Sequence, residues 1–205
     1  MYGNTAVSLR FYGPWGEERV EERVINIPYN FVPKNELEYT LSAGIVENED
    51  WNRFSRFVAN YGLSNAVTIG VGAEYLSEVE SGEVMPFLNS SVRFASNFLF
   101  SGEYMYGVKA EGLLSYRTPR NFQVDLNYIK YDENQTAINF NYLEERKISI
   151  SSPIRGKNFS MFSRFSINQI VLPTTEFTTA QLLLSGALLG ISTNFTTYGV
   201  YNDRV

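Results

Sequence analysis

Apolar and polar residues alternate one by one along most of this chain, in repeated segments of roughly 8 to 13 residues. In the segment 36–46, for example, Leu37 and Tyr39 fall on one side, and Thr40 and Ser42 fall on the other. Since successive side chains of a β-strand point to opposite faces of the sheet, the alternation predicts a strand with one apolar and one polar face. A chain built from such strands needs a partner for an extended apolar surface.

The same alternation recurs along the chain, and turn-forming residues separate the repeats. Further alternating segments are 67–76, 98–106, 108–116, 122–128 and 138–142. Turn signals lie at Gly13-Pro14, Pro33-Lys34-Asn35, Glu47-Asn48-Glu49-Asp50, Ser81-Gly82, Thr118-Pro119, Asp132-Glu133-Asn134, Ser152-Pro153 and Pro173. We find no convincing helical period. The pattern therefore predicts an all-β, antiparallel fold of roughly a dozen strands.

The residue types that the commonest catalytic sites need are missing. With no cysteine and no histidine in 205 residues, the chain can form no disulfide, no thiolate or imidazole metal site, and no Ser-His or Cys-His nucleophile pair. Paired acids occur at Glu17-Glu18, Glu21-Glu22 and Glu144-Glu145, but neighbours in a strand point to opposite faces. Lysine and arginine number 17 against 22 aspartate and glutamate, without a block of like charge. We expect neither an enzyme nor a cofactor, and no nucleic-acid partner.

Three further features favour a membrane barrel over a soluble β protein. The alternating segments approach the length of about 9 to 11 residues that a tilted strand needs to cross a bilayer. The polar sides carry mainly Asn, Gln, Ser, Thr and Gly, which suits a water-filled interior. Tyrosines near predicted strand ends suit an aromatic girdle at the membrane interfaces: Tyr12, Tyr61, Tyr75, Tyr116, Tyr131 and Tyr201. The sequence thus predicts an antiparallel up-and-down transmembrane β-barrel of roughly 12 to 14 strands, or a segment of a larger barrel, in contact with bacterial outer-membrane lipid.

The order of three sequence elements resembles the barrel of fimbrial ushers. An extended segment ends in Pro28-Tyr29, a strand ends in Ala43-Gly44, and the turn Tyr61-Gly62-Leu63-Ser64-Asn65 leads into a strand that contains Thr68. The resemblance implies an outer-membrane channel for protein secretion and pilus assembly, through which chaperone-delivered pilus subunits reach the growing fibre. On this basis residues 1–205 form a single β-barrel domain or a fragment of one, and residues 1–35 form the region flanking a plug.

Ionisable residues on the polar sides of the predicted strands are the candidate site residues, because such side chains tune ion selectivity when they face a pore. The lumen-facing candidates are Glu74, Arg93, Glu103, Lys109, Glu111, Asp125 and Arg164. Their alternative role is to pair across strands and hold the wall together.

Two other functions fit the same alternation. The first is a porin-like or structural outer-membrane barrel that is complete within this chain. The second is a soluble β-sandwich or adhesin module, whose apolar faces would be buried against each other and which would be soluble without detergent.

Overall fold

The computed structural model describes residues 4–12, 18–26, 31–45, 51–77, 79, 83–138, 141–156, 159–188 and 191–204. These residues form thirteen β-strands and no helix. The strands are β1 (Asn4–Tyr12), β2 (Glu18–Asn26), β3 (Leu37–Ile45), β4 (Arg53–Ser64), β5 (Val67–Leu76), β6 (Val84–Ala95), β7 (Phe98–Met105), β8 (Lys109–Arg117), β9 (Gln123–Tyr131), β10 (Glu144–Arg155), β11 (Phe159–Val171), β12 (Thr175–Leu188) and β13 (Ile191–Arg204). Over the described part of the chain there is accordingly no helix that is long and apolar enough to cross a membrane.

Eleven of the strands form one sheet in chain order. Within the described residues, β1 and β2 form a separate antiparallel hairpin. β3 to β13 follow one another across the larger sheet, each antiparallel to its neighbours, so the sheet is an up-and-down meander. β3 and β13 are its edges, and the described structure does not pair them with each other. The predicted all-β, antiparallel, up-and-down architecture is confirmed, and the sheet is open.

The pairing register collects residues of like polarity on the same side of the sheet. Arg56 lies opposite Glu74, and Asn60 lies opposite Gly70, while Ala59 lies opposite Val71 on the other side. The registers of the remaining strands continue the same two sides from β3 to β13. We call the side that carries Asn60 the polar face, and the side that carries Val71 the apolar face.

The connections at the two ends of the sheet differ in length. At one end they are residues 65–66, 96–97, 118–122, 156–158 and 189–190. At the other end they are residues 46–52, 77–83, 106–108, 132–143 and 172–174. We call these ends the short-turn rim and the long-loop rim.

A small apolar core lies on the polar face beside the long-loop rim. Its buried members are Val79, Met85, Phe87, Met105 and Val108. Ala137 and Ile138, from the connection between β9 and β10, pack against these residues. The longest connection of the sheet is therefore folded back onto the polar face.

The same packing explains why the predicted strand at 138–142 is wrong. Ile138 covers the apolar core instead of joining the sheet, and the described residues 141 and 142 are not in a strand. Residues 139 and 140 lie outside the described residues. A short alternating segment indicates a strand only when a neighbouring strand is free to pair with it.

The predicted turn at Ser152-Pro153 is also wrong, because Pro153 lies inside β10, opposite Phe162 of β11. β9 pairs with β10 only as far as Ser151, so Pro153 has an unpaired side, where a sheet tolerates proline. The signals at Pro33-Lys34-Asn35, Thr118-Pro119, Asp132-Glu133-Asn134 and Pro173 do fall in connections between or before strands. The signals at Gly13-Pro14, Glu47-Asn48-Glu49-Asp50 and Ser81-Gly82 lie outside the described residues.

Candidate functional site

From β4 to β10, the polar face is the sheltered side of the sheet. Thr68 is 1% exposed and Asn60 is 6% exposed, whereas Val71 and Leu88 on the apolar face are 53% and 58% exposed. Among the described residues of this sheet, every buried strand residue lies on the polar face. A soluble sheet with one solvated side buries its apolar side, so the arrangement here is inverted.

The exposed apolar side chains extend from one edge strand of the sheet to the other. On the apolar face they include Tyr39, Leu41, Phe57, Ile69, Val71, Leu88, Tyr104, Leu126, Tyr128, Ile148, Ile150, Phe165, Phe195 and Tyr201. The patch is thus as wide as the sheet itself, far beyond the isolated apolar residues that are normal on a soluble surface.

Charged residues on the apolar face lie only beside the long-loop rim. They are Arg53, Lys130, Glu144, Arg146, Glu176 and Asp203, each within three residues of the end of its strand. Across the rest of this face, the described strands carry no Asp, Glu, Lys or Arg. The central belt of the apolar face is therefore uncharged.

Tyrosines border this belt on both sides. On the apolar face, Tyr61 and Tyr116 lie near the short-turn rim, and Tyr75 and Tyr201 lie near the long-loop rim. Tyr131 ends β9 but lies on the polar face opposite Lys109, so its predicted place in an outward girdle is wrong. The side chain of Tyr12 lies outside the described residues.

All seven ionisable candidates lie on the polar face, because the period of two holds along each of their strands and the pairing register aligns these strands. Four of them are brought together in one region: Glu74, Glu103, Lys109 and Glu111. The other three lie apart. The Ser115 hydroxyl donates to Asp125 at 2.5 Å, the Arg93 guanidinium lies 4.6 Å from the centre of the Phe31 ring, and Arg164 lies 5.9 Å from that of Phe162.

Arg56, which the sequence analysis did not select, joins the four clustered candidates into a network. Its guanidinium lies 3.1 Å from the Glu74 carboxylate and 3.6 Å from that of Glu103. The Lys109 ammonium lies 3.7 Å from Glu103 and 2.8 Å from Glu111. Arg56 lies two residues before Val58 and four residues before Asn60, on the same face of β4. This alternation is the sequence signal that could have identified Arg56.

The network spans several strands, and its own side chains are only partly buried. Its charged side chains are 21% to 39% exposed, so each pair contributes at most about 1 kcal/mol to stability. With two basic and three acidic groups, the network carries one net negative charge at neutral pH. It therefore sets the local potential of the polar face more than it holds the sheet together.

Two glycines of β5 shape a recess beside this network. A Cβ atom at Gly70 would overlap the amides of Asn60 and Asn89, and one at Gly72 would overlap the Phe87 ring. Since neither glycine has a side chain, residues from β4 and β6 lean over β5. The recess has a volume of about 310 Å³ and is lined by Thr40, Arg56, Val58, Asn60, Asn89, Ser91, Ser101, Gly102 and Glu103.

The segment before β3 lies on the polar face at the short-turn rim. The Val32 N–H donates to the Thr68 hydroxyl at 2.9 Å, and the Asn35 N–H donates to the Gly62 carbonyl at 2.8 Å. Asn35 has a φ of 64°, which asparagine adopts more readily than most residues. A side chain at position 62 would overlap the Val32 carbonyl, so Gly62 permits this close approach. That residues 1–35 flank a plug stays a prediction.

The comparisons with known proteins give no family for this chain. It matches no protein-family model, and no curated protein is significantly similar to it. Among the described residues, no group of three or more acidic side chains is arranged to hold a metal ion. The functional interpretation therefore rests on the two faces of the sheet and on the polar side chains described above.

Proposed function

We propose that this chain forms part of the wall of a transmembrane β-barrel in a bacterial outer membrane. The apolar face contacts lipid, and the polar face borders a water-filled interior. Within that class, the role that the usher-like elements support is the passage of chaperone-delivered pilus subunits. The chain acts as a conduit and not as a catalyst.

One observation carries this proposal: from β4 to β10, the apolar face is exposed and the polar face is sheltered. In water, removing apolar surface from solvent contributes about 25 cal/mol per Å², so a soluble sheet turns its apolar side inward. In a membrane wall the apolar side faces the acyl chains and the polar side faces the lumen. The uncharged central belt and strands of 8 to 14 residues support the same interpretation.

The soluble sandwich requires that apolar faces are buried against each other. Leu41 is 71% exposed and Leu88 is 58% exposed, at the edge and in the interior of the sheet. In the described structure neither strand has an apolar layer over it. The geometry therefore favours the membrane wall over the sandwich.

The number of strands separates the two membrane functions. Barrels of about 8 strands have interiors filled by side chains, whereas about 16 to 18 strands are needed for a wide aqueous channel. Because the meander has an odd number of strands, β3 and β13 run in the same direction, so closing these eleven strands into a narrow porin-like or structural barrel would need a parallel pair, unlike the even-numbered antiparallel barrels of bacterial outer membranes. Passage of folded pilus subunits therefore requires that this sheet is part of a larger barrel, and we favour that arrangement because of the usher-like elements.

The lengths of the connections support one orientation in the membrane. Barrels of this class have short periplasmic turns and longer extracellular loops. The short-turn rim then faces the periplasm, and the long-loop rim, with all the charges of the apolar face, faces the cell exterior.

The proposal is tested by expressing the chain with an export signal in a Gram-negative host. We expect it in the outer-membrane fraction, extractable only with detergent, and with a gel mobility that changes on heating. Recovery as a soluble monomer without detergent would refute the membrane wall. For protein that does insert, single-channel conductance in planar bilayers then distinguishes a wide conduit from a narrow porin-like pore.

A further inference from the structure

Exposed arginines are concentrated in the half of the sheet nearer the short-turn rim, between β6 and β11. We call them the arginine strip: Arg93, Arg117, Arg120, Arg155 and Arg164. Arg120 lies in the connection 118–122, and the other four lie on the polar face. Neighbouring strands are about 4.8 Å apart, so the five spacings from β6 to β11 make the strip about 24 Å wide.

The strip has almost no negative charge beside it. From β6 to β13, Asp125 is the one acidic residue that the structure describes in the half nearer the short-turn rim. Its carboxylate accepts hydrogen bonds from the Ser115 hydroxyl at 2.5 Å and the Gln123 amide at 2.9 Å. In the other half of the sheet, by contrast, Arg56 and Lys109 have carboxylates at 3.1 Å and 2.8 Å. The strip is therefore locally positive, although the net charge of the chain is −5.

Neutral groups orient some of the arginines without cancelling their charge. The Arg93 guanidinium lies 4.6 Å from the centre of the Phe31 ring, and that of Arg117 donates to the Asn121 amide oxygen at 2.9 Å. No arginine of the strip forms an ion pair with a described carboxylate. A guanidinium has five N–H donors in a planar fork that matches a carboxylate, so these groups retain free donors for an anionic partner.

We propose that the arginine strip is a docking surface for an acidic segment of another protein, which approaches on the polar face. The choice of a polypeptide partner rests on the proposed function, in which polypeptides pass along this face. Anionic lipid headgroups would meet the opposite, apolar face, whose described strands carry no basic residue near the short-turn rim. An extended segment of about seven residues, at about 3.3 Å per residue, is as long as the strip is wide.

Docking is tested by fluorescence anisotropy of labelled deca-L-glutamate with the full folded chain, in detergent or in buffer. We expect a dissociation constant below about 1 mM at about 50 mM salt, and binding at least about tenfold weaker at about 0.5 M salt, because exposed charges are screened. Arg117→Glu combined with Arg164→Glu should weaken binding at least about tenfold, because each exposed pair contributes up to about fivefold to affinity.

The matched control reverses two exposed basic residues beside the long-loop rim, Arg53→Glu combined with Lys130→Glu. The net charge changes equally, and binding should stay within about twofold of that of the unmodified chain, because these residues lie at the opposite end of the sheet. Arg120→Glu combined with Arg155→Glu tests the strip at two other positions, so the result does not depend on the folding of one variant.

Three results would overturn the docking surface: no measurable binding of deca-L-glutamate, equal weakening in the strip and control variants, or tighter binding of deca-L-lysine. Two further results would assign the strip to a different partner and would also overturn it. These are tighter binding of a ten-nucleotide single-stranded DNA, and strip-dependent binding to phosphatidylglycerol vesicles without binding of the peptide. A chain that inserts into membranes but does not bind deca-L-glutamate refutes the docking surface alone, and a soluble chain that binds it refutes the membrane wall alone.

Discussion

A lysine in the middle of the apolar belt distinguishes a lipid-facing surface from a water-facing one. Val71 is the fifth of the ten residues of β5 and is 53% exposed on the apolar face. If this face contacts acyl chains, Val71→Lys places an ammonium near the bilayer midplane, where it costs about 2 to 4 kcal/mol. That loss lowers the folded-to-unfolded ratio by about 30-fold to about 1,000-fold.

The same substitution at the rim provides the matched control. Val84 is the first residue of β6, beside the long-loop rim, and it is 61% exposed on the same face. Near the interface a lysine costs only about 0 to 1 kcal/mol, so Val84→Lys should change stability little. The two sites have similar exposure and differ mainly in their depth in the membrane.

The measurement is reversible urea unfolding of the chain in lipid vesicles, followed by the fluorescence of its two tryptophans. We expect the free energy of unfolding to fall by at least about 2 kcal/mol in Val71→Lys and by no more than about 1 kcal/mol in Val84→Lys. On a water-exposed surface both substitutions would stay within about 0.5 kcal/mol of the unmodified chain. Equal, small effects at the two positions would therefore refute the argument from exposure to lipid contact.

Three other predictions concern packing, charge and orientation. Gly72→Ala places a Cβ atom against a phenylalanine ring and a backbone carbonyl of β4, so the free energy of unfolding should fall by about 1 to 3 kcal/mol. In the same urea titration, Gly44→Ala should change it by less than about 0.5 kcal/mol. Equal losses in the two variants would contradict the packing. Arg56→Gln leaves the acidic groups of its network in excess, so the reversal potential across a planar bilayer should shift towards cation preference. Arg53→Gln, on the apolar face, should leave the reversal potential unchanged. The same potential in both variants would argue against a conducting polar face. An epitope inserted in 132–143 should bind antibody on intact cells, and labelling only after permeabilisation would reverse the proposed orientation.

The alternating pattern was sufficient to predict five of the strands, β3, β5, β7, β8 and β9, and their two faces. The predicted strand over 36–46 corresponds to β3 (Leu37–Ile45), and the one over 67–76 corresponds to β5 (Val67–Leu76). The period of two, a property of the extended backbone, puts each of the seven ionisable candidates on the polar side of its own strand, and the pairing register then puts those sides on one face of the sheet. The same local rule could not tell that Ile138 would cover a core instead of extending a strand.

The polar network depends on contacts between strands that are distant along the chain. Arg56 meets Glu103 across two intervening strands, and the recess exists because Gly70 and Gly72 lie between β4 and β6. Each of these residues is unremarkable in its own segment. Only the register of neighbouring strands brings them together.

The sequence by itself determined that this chain is antiparallel β with one apolar and one polar side, because side chains alternate along any strand. Only the tertiary structure decided which side is sheltered. Thr68 is buried, whereas Val71, three residues further along the same strand, is exposed on the opposite face, because the segment before β3 and the connection after β9 both lie on the polar face. Burial depends on what the rest of the chain places over a surface, and no local pattern encodes that.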